Sequence, residues 1–228
     1  VVNTCTVTNI ADRKSRQVLR KVKEENPQSI IVAVGCYVQV AKETVENMKE
    51  IDLCLGNVEK KDIVKKVEEY MKKNQKENIE IIDVNKETEF QEMGAITFSE
   101  KTRATVKVQD GCNNFCTYCL IPFARGRIRS RKKENVIEEV KKIAEKGIKE
   151  IVITGIHIAS YGKDFDNNYR LIDLLEEINK IQGLHRIRLG SIEPTIITDE
   201  FVERLSKLDK ICDHFHLSLQ SGCTETLK

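Results

Sequence analysis

From Arg103 onward the chain repeats one pattern. Short runs rich in aliphatic residues, Ala104 to Val108, Ile151 to Thr154, Ile187 to Leu189 and Phe215 to Leu219, read as strands. They alternate with stretches of helical periodicity at about Asn135 to Lys146, Leu171 to Ile181 and Asp199 to Leu208. Val136, Ile137, Val140, Ile143 and Ala144 give the first of these helices a single apolar face. Gly147 and Gly183 stand just past two helix ends, where a left-handed cap is wanted. Repeated βα units of this kind specify a parallel sheet, either open or part of a barrel, and in both architectures chemistry collects at the carboxyl ends of the strands.

The amino-terminal stretch reads as a smaller α/β unit. Val1 and Val2 end a strand that turns at Asn3-Thr4-Cys5, and a helix follows from about Ala11 to Glu25, stopped at Asn26-Pro27. Ile30 to Val34 is a continuous apolar run, the signature of a strand covered on both faces, and it ends at Gly35-Cys36. A helix from about Ala41 to Lys49, a strand at Leu53 to Leu55 and a helix from about Glu59 to Lys73 complete the alternation. Residues 75–102 are charged and amide-rich, with one alternating segment, Ile79 to Val84, that reads as an edge strand or a bridge. The expected organisation is therefore a domain at 1–74, a linker at 75–102 and a second domain at 103–228. The start at Val1 without a methionine, and the stop at Thr226-Leu227-Lys228, suggest a piece of a longer protein.

Composition narrows the function classes. With 228 residues, 40% hydrophobic and 32% charged, and no apolar run near the roughly 20 residues that cross a bilayer, a membrane-spanning helix is excluded and no membrane partner is expected. A net charge of +2 is too small to indicate a nucleic-acid partner by itself, so local clustering must decide. Eight cysteines without a signal peptide, three of them in one short loop, argue against a secreted disulfide scaffold and for a cytoplasmic protein.

That loop reads Asp110-Gly111-Cys112-Asn113-Asn114-Phe115-Cys116-Thr117-Tyr118-Cys119, a C-x3-C-x2-C pattern directly after the first strand of the second domain. Thiolates are soft ligands suited to zinc or iron-sulfur clusters, and three ligands leave one iron of a cubane cluster open. Structural zinc ordinarily takes four protein ligands, and neither the spacing nor the four histidines supplies an obvious fourth. Zinc and simple packing stay as alternatives. Cys5 and Cys36 both follow strands and could project at one sheet edge; buried packing is the plain alternative for them. Cys54, Cys212 and Cys223 are read as core residues.

The cysteine loop, with an aromatic residue at Tyr118 before its third cysteine, resembles that of the radical S-adenosylmethionine enzymes. Asn3-Thr4-Cys5-Thr6-Val7 and Val34-Gly35-Cys36-Tyr37 resemble the amino-terminal domain of one branch, the methylthiotransferases. So do Arg125-Gly126-Arg127-Ile128-Arg129-Ser130-Arg131, Gly155-Ile156-His157-Ile158, Arg186 to Pro194 and His216 to Gly222. The resemblance implies an α/β fold: an incomplete Rossmann-like methylthiotransferase domain followed by a partial radical S-adenosylmethionine (βα) barrel. It implies two [4Fe–4S] clusters and S-adenosylmethionine as cofactors. Cys112, Cys116 and Cys119 would ligate the radical-generating cluster; Cys5 and Cys36 would ligate an auxiliary cluster whose third ligand lies upstream. Ser191, Glu193 and Gln220 would line the S-adenosylmethionine pocket, with polar strand-end capping as the plain alternative.

Thr6 to Gln17, Asp110 to Asn114 and Thr154 to Ile158 look like the branch that converts N6-threonylcarbamoyladenosine, beside the tRNA anticodon, to its 2-methylthio derivative. Isopentenyladenosine in tRNA and a ribosomal-protein side chain are the alternative substrates within the family. A non-enzymatic zinc-stabilised RNA-binding module and a simple electron carrier are the alternatives outside it. The family chemistry also needs an electron donor, which the sequence does not identify. Between residues 101 and 133 nine basic residues face one acid, Asp110. Arg125, Arg127, Arg129 and Arg131 are thus candidates for holding tRNA phosphates, against the alternative of a solvated loop. His157, at a strand end, is read as structural before catalytic.

Overall fold

The computed structural model describes residues 1–73, 81–92 and 102–227. By their packing these divide into two compact units, Val1–Gln91 with Cys112–Arg127, and Glu92–Gly111 with Ile128–Lys228. The division is not sequential. The cysteine loop packs with the amino-terminal residues, although the chain enters it from the first strand of the second unit.

In the first unit, β1 (Val2–Thr4), β2 (Val32–Gly35) and β3 (Leu53–Leu55) form a parallel sheet in that order. Both faces are covered, and the two-residue repeat of a strand explains how. Val32, Val34, Leu53 and Leu55 pack with Ile63, Val67 and Tyr70. Ala33 and Cys54 point the other way, into a cluster with Leu19, Val38 and Val45. Those partners lie on α4 (Ile63–Lys73) for the first face, and on α1 (Asn9–Glu25), α2 (Cys36–Val40) and α3 (Lys42–Glu46) for the second.

Helix α1 starts two residues before the expected Ala11, because the Thr8 side chain caps it by accepting from the Ala11 N–H at 3.1 Å. The helix expected at Ala41 to Lys49 is shortened to α3, and α2 precedes it as a helix that was not expected. α2 begins at once after β2 and breaks at Ala41, whose backbone (φ −106°, ψ 41°) is not helical. The helix expected from Glu59 starts with a 3₁₀ turn at Glu59–Asp62 before α4. Of the alternating segment, Ile79 and Glu80 lie outside the described residues; Ile81 to Asp83 form no strand and lead into a 3₁₀ turn at Val84–Lys86. There the polar backbone is satisfied by side chains: the Ile82 N–H donates to Glu59 Oε1 at 2.7 Å. A further short helix, α5 (Ile121–Arg125), closes the cysteine loop and packs on α2.

The second unit is a four-stranded sheet in the order β5-β4-β6-β7, built from β4 (Arg103–Asp110), β5 (Arg129–Ser130), β6 (Glu150–Gly155) and β7 (Arg186–Leu189). β4, β6 and β7 are parallel, with α6 (Lys133–Glu145), α7 (Leu171–Asn179) and α8 (Asp199–Leu205) as the intervening and following helices. Val106, Ile151, Ile153, Ile187 and Leu189 pack with Val136, Val140, Ile143, Leu174 and Ile178 in one buried core. α6 ends as its sequence requires: Gly147 adopts φ +82°, and the N–H groups of Gly147 and Ile148 reach back to Ala144 and Ile143. The last helix, α9 (Thr224–Leu227), is a single turn.

Two features depart from the expected parallel sheet. β5 was not expected and is antiparallel, pairing Gln109 with Ser130 and Asp110 with Arg129. The chain leaving the cysteine loop thus returns along the free edge of β4. The strand expected at Phe215 to Leu219 is reduced to one parallel bridge, Ile192 to Leu217. Phe215, Leu217 and Leu219 are exposed among the described residues, so that segment lacks the cover that drives a ladder to extend.

At the amino ends of these strands Glu150 is buried under three arginines. Arg186 Nε lies 2.7 Å and Arg188 Nε 3.2 Å from its carboxylate, with Arg103 at 3.7 Å. Burial pushes the Glu150 carboxyl up, but the hydrogen bonds from Arg186 and Arg188 outweigh it and hold the group below the ordinary carboxylate value. A depressed folded-state value contributes stability above the unfolded value and loses it as pH falls through the folded one. Glu150→Gln is therefore expected to lower stability by about 1 kcal/mol at neutral pH. The gap to wild type should close below the carboxylate range; a pH-independent gap in chemical denaturation would refute the ion-pair origin. In the first unit, Gly35 adopts φ +108°, and a Cβ there would lie 2.6 Å from the Thr4 carbonyl oxygen. Gly35→Ala is expected to cost about 2 kcal/mol or more, read from the same denaturation experiment.

Candidate functional site

β4 delivers the chain to the cysteine loop through a buried amide. Gln109 is fully buried; its Nε2 donates to the carbonyls of Asp110 (2.7 Å) and Gly111 (2.6 Å), and its Oε1 accepts from the His157 N–H at 2.7 Å. One side chain thus ties the end of β4 to the turn after β6. Asp110 adds a second tie, accepting from the Gly111 N–H at 2.9 Å and pairing with Lys107 at 2.6 Å. Gln109 did not stand out in the sequence, because a strand-end Gln is common, and Asp110 stood out as the one acid of a basic stretch and the start of the cysteine motif.

The loop itself is closed at its base, where the Cys112 N–H donates to the Gly126 carbonyl at 3.0 Å, and tightened in the middle by Cys119 N–H to Cys116 O at 2.9 Å. Phe115 adopts φ +48°, a left-handed conformation uncommon for an aromatic residue and typical of loops whose geometry serves a site. Its ring packs edge-on against Phe123 at 5.8 Å, and the Arg127 guanidinium lies over it at 4.5 Å. Cys116 is exposed and Cys112 and Cys119 half-buried, and all eight cysteines are thiols rather than disulfides. Among the described residues, no three His, Cys, Asp or Glu side chains are gathered round a common point. The three thiols therefore share one short, pinned loop without converged sulfurs. As a donor set they fit an iron-sulfur cluster: soft ligands, accessible from solvent, on a loop held at both ends.

Cys5 and Cys36 are brought together by register. Thr4 pairs with Gly35 across adjacent parallel strands, so the two cysteines leave the sheet side by side at its carboxyl edge. Thr4 Oγ1 donates to the Val34 carbonyl at 2.7 Å, and Ser15 Oγ on α1 both accepts from the Cys5 N–H (3.2 Å) and donates to its carbonyl (3.1 Å). Gly35 permits this close approach of the strands. Cys5 is exposed, whereas Cys36 is buried at the start of α2. Cys54 lies in the core as expected, but Cys212 is half-buried and Cys223 exposed, which removes the core reading for Cys223.

In the second unit, Glu193 Oε2 lies 2.7 Å from Nε2 of the buried His157, and Ser191 Oγ lies 3.2 Å from His216 Nδ1. These two polar pairs stand past the ends of β6 and β7. Gln220 is exposed beyond the Ile192 to Leu217 bridge. The basic candidates separate by burial. Arg129 is buried beside Asp110, at 3.9 Å. The Arg131 side chain is 11% exposed and paired with Glu92 (2.7 Å) and with Glu139. Both arginines are thus paired with acids in the fold; the acids beside Arg131, Glu92 and Glu139, lie outside the stretch 101–133 over which the charges were counted. Arg127 is exposed and Arg125 half-buried.

The Radical SAM superfamily profile matches residues 106–228, and the profile described as Uncharacterized protein family UPF0004 matches residues 1–56. The chain is 41% identical over its whole length to the threonylcarbamoyladenosine tRNA methylthiotransferase MtaB of Bacillus subtilis (strain 168), of which it covers 50%. It is 36% identical over its whole length to the tRNA-2-methylthio-N(6)-dimethylallyladenosine synthase of Clostridium botulinum (strain Loch Maree / Type A3), of which it covers 51%. The chain thus spans about half the length of the curated relatives it matches. Among solved structures, the radical S-adenosylmethionine methyltransferase TsrM from Kitasatospora setae superposes with a TM-score of 0.67 at 16% identity, over 100% of this chain and 48% of that one, a likeness of fold. A three-cysteine loop directly after the first strand of a partial (βα) barrel, matched by the superfamily profile over more than half of the residues, establishes that this chain belongs to the radical SAM superfamily.

Proposed function

We propose that the protein is a tRNA methylthiotransferase that converts N6-threonylcarbamoyladenosine, beside the anticodon, to its 2-methylthio derivative. The observation that carries this reading is the presence of two cysteine groups in one compact unit: Cys5 and Cys36 at adjacent strand ends, and Cys112, Cys116 and Cys119 on the loop packed with them. A superfamily member that only cleaves S-adenosylmethionine needs one cluster. A second set of thiols supports a reaction that also handles sulfur. The substrate branch rests on the Bacillus subtilis relative and on Thr6 to Gln17. Dimethylallyladenosine, named for the Clostridium botulinum relative, is the second reading, favoured by that protein's 36% identity.

Cys112, Cys116 and Cys119 would hold the cluster that binds S-adenosylmethionine, and Cys5 and Cys36 two corners of an auxiliary one. When bound, these groups supply the radical that activates C2 of the adenosine and the sulfur that replaces its hydrogen. The chain's own contribution is placement. Gln109 and Asp110 fix the turn into the cysteine loop, Phe115 and Phe123 shape its apolar wall, and buried His157 lies beside the Glu193 carboxylate at a strand end where a cofactor's polar groups would lie. Ser191 and Gln220 belong to the same proposed pocket. Arg127 and Arg125, on the loop itself, are the basic residues proposed to meet RNA phosphate, with salt-sensitive binding. An electron donor and a cytoplasmic setting complete the proposal; no described helix is long and apolar enough to cross a membrane.

The test is nucleoside mass spectrometry of tRNA from cells lacking the endogenous modification and supplied with the whole protein. Wild type should produce 2-methylthio-N6-threonylcarbamoyladenosine. Cys116→Ala should abolish it, and Arg127→Ala should reduce it about tenfold at physiological salt, less at low salt. Methylthiolated dimethylallyl- or isopentenyladenosine instead would move the substrate to the second reading. No methylthio product of any kind would overturn the proposal.

A further inference from the structure

Two residues beyond the paired Val34 and Leu55, on adjacent strands of the first sheet, stand Cys36 and Asn57. The Asn57 side chain does two things at once. Its Nδ2 donates to the Ala124 carbonyl of α5 at 2.6 Å and lies 3.5 Å from Cys36 Sγ, within reach of an N–H···S hydrogen bond. The orientation of the amide is set by chemistry: a carbonyl oxygen faces it at Ala124, so only the NH2 group can stand there, and its second proton is left for the sulfur. The backbone is held as well. The Asn57 N–H donates to Gln39 Oε1 at 2.9 Å, three residues beyond Cys36, and Gln39 Nε2 donates to the Ile82 carbonyl at 2.9 Å. Gly56 allows this approach, since a Cβ there would meet Gln39 Oε1 at 2.4 Å and Glu59 Oε2 at 2.6 Å.

We propose that Asn57 is a positioning residue for the auxiliary cluster, donating to the Cys36 sulfur with the same amide group that anchors the helix closing the radical-generating cysteine loop. A hydrogen bond to a ligating sulfur draws electron density from it and favours the reduced state of a cluster, which raises its potential. The partner on the other side is the Ala124 carbonyl, five residues after Cys119, so one side chain contacts both the Cys36 sulfur and the helix that follows the cysteine loop. This inference rests on the two-cluster reading above, and its test separates the two.

The experiment uses the whole protein, reconstituted anaerobically with iron and sulfide, as wild type, Asn57→Leu and Asn57→Ser. Leu fills the space without donors, and Ser is too short to span both partners, so either variant suffices if the other does not fold. Redox titration followed by electron paramagnetic resonance should show the auxiliary cluster of the variant at lower potential than in wild type, with the other cluster unmoved. In the apo protein, hydrogen exchange over residues 121–126 should be about fivefold faster, as expected for loss of one hydrogen bond, with α1 unchanged. Unchanged potentials in a folded variant would overturn the sulfur contact, and unchanged exchange would overturn the anchoring of α5. A wild type that titrates as a single cluster would sink the two-cluster reading, and this inference with it, before any variant is compared.

Discussion

Parallel pairing is the constraint on which the rest depends. In a parallel sheet every strand delivers its carboxyl end to the same edge, so residues remote in sequence emerge together without any further device. In the first sheet the Thr4 to Gly35 pair puts Cys5 and Cys36 side by side, and the Val34 to Leu55 pair brings Asn57 level with Cys36. In the second sheet the same rule puts Gln109, His157 and the Ser191 to Glu193 segment at or after the ends of β4, β6 and β7. The price is close backbone approach, and glycine meets it where Gly35 runs against Thr4.

In each sheet, taken by itself, a side-chain amide organises polar groups near the carboxyl edge. Gln109 satisfies two carbonyls and one N–H at the start of the cysteine loop, and Asn57 bridges a sulfur and a helix carbonyl. Neutral amides suit such positions: they donate and accept in fixed directions without the desolvation penalty of an ion. Charged pairs contribute at both ends of the second sheet. Glu150 with its arginines sits at the opposite ends of the strands, and Arg131 with Glu92 and Glu139 braces β5 against α6.

Much of this was legible in the sequence. The run Ile30 to Val34 indicated a strand covered on both faces, and the two helical clusters bear that out; the βα repeat indicated the parallel core of the second unit. What escaped had no local signal. β5 is two residues long and exists because the loop returns along β4. The Phe215 to Leu219 run has strand composition, yet composition cannot create the neighbour that would extend its single bridge. Arg129 and Arg131 read as free positive charge because Asp110, Glu92 and Glu139 become their partners only in the fold. Asn57 is invisible for the same reason, since its two partners lie 21 and 67 residues away.

The claim at the centre is that two separate sets of thiols hold two separate clusters. Mössbauer spectroscopy with iron quantification on the whole protein, comparing wild type with the Cys112→Ala, Cys116→Ala, Cys119→Ala triple variant, tests it most directly. Retention of about half the iron, as an intact [4Fe–4S] cluster that no longer binds S-adenosylmethionine, is the expected result. Loss of all iron in the folded variant would contradict it, leaving Cys5 and Cys36 as ordinary thiols at a sheet edge.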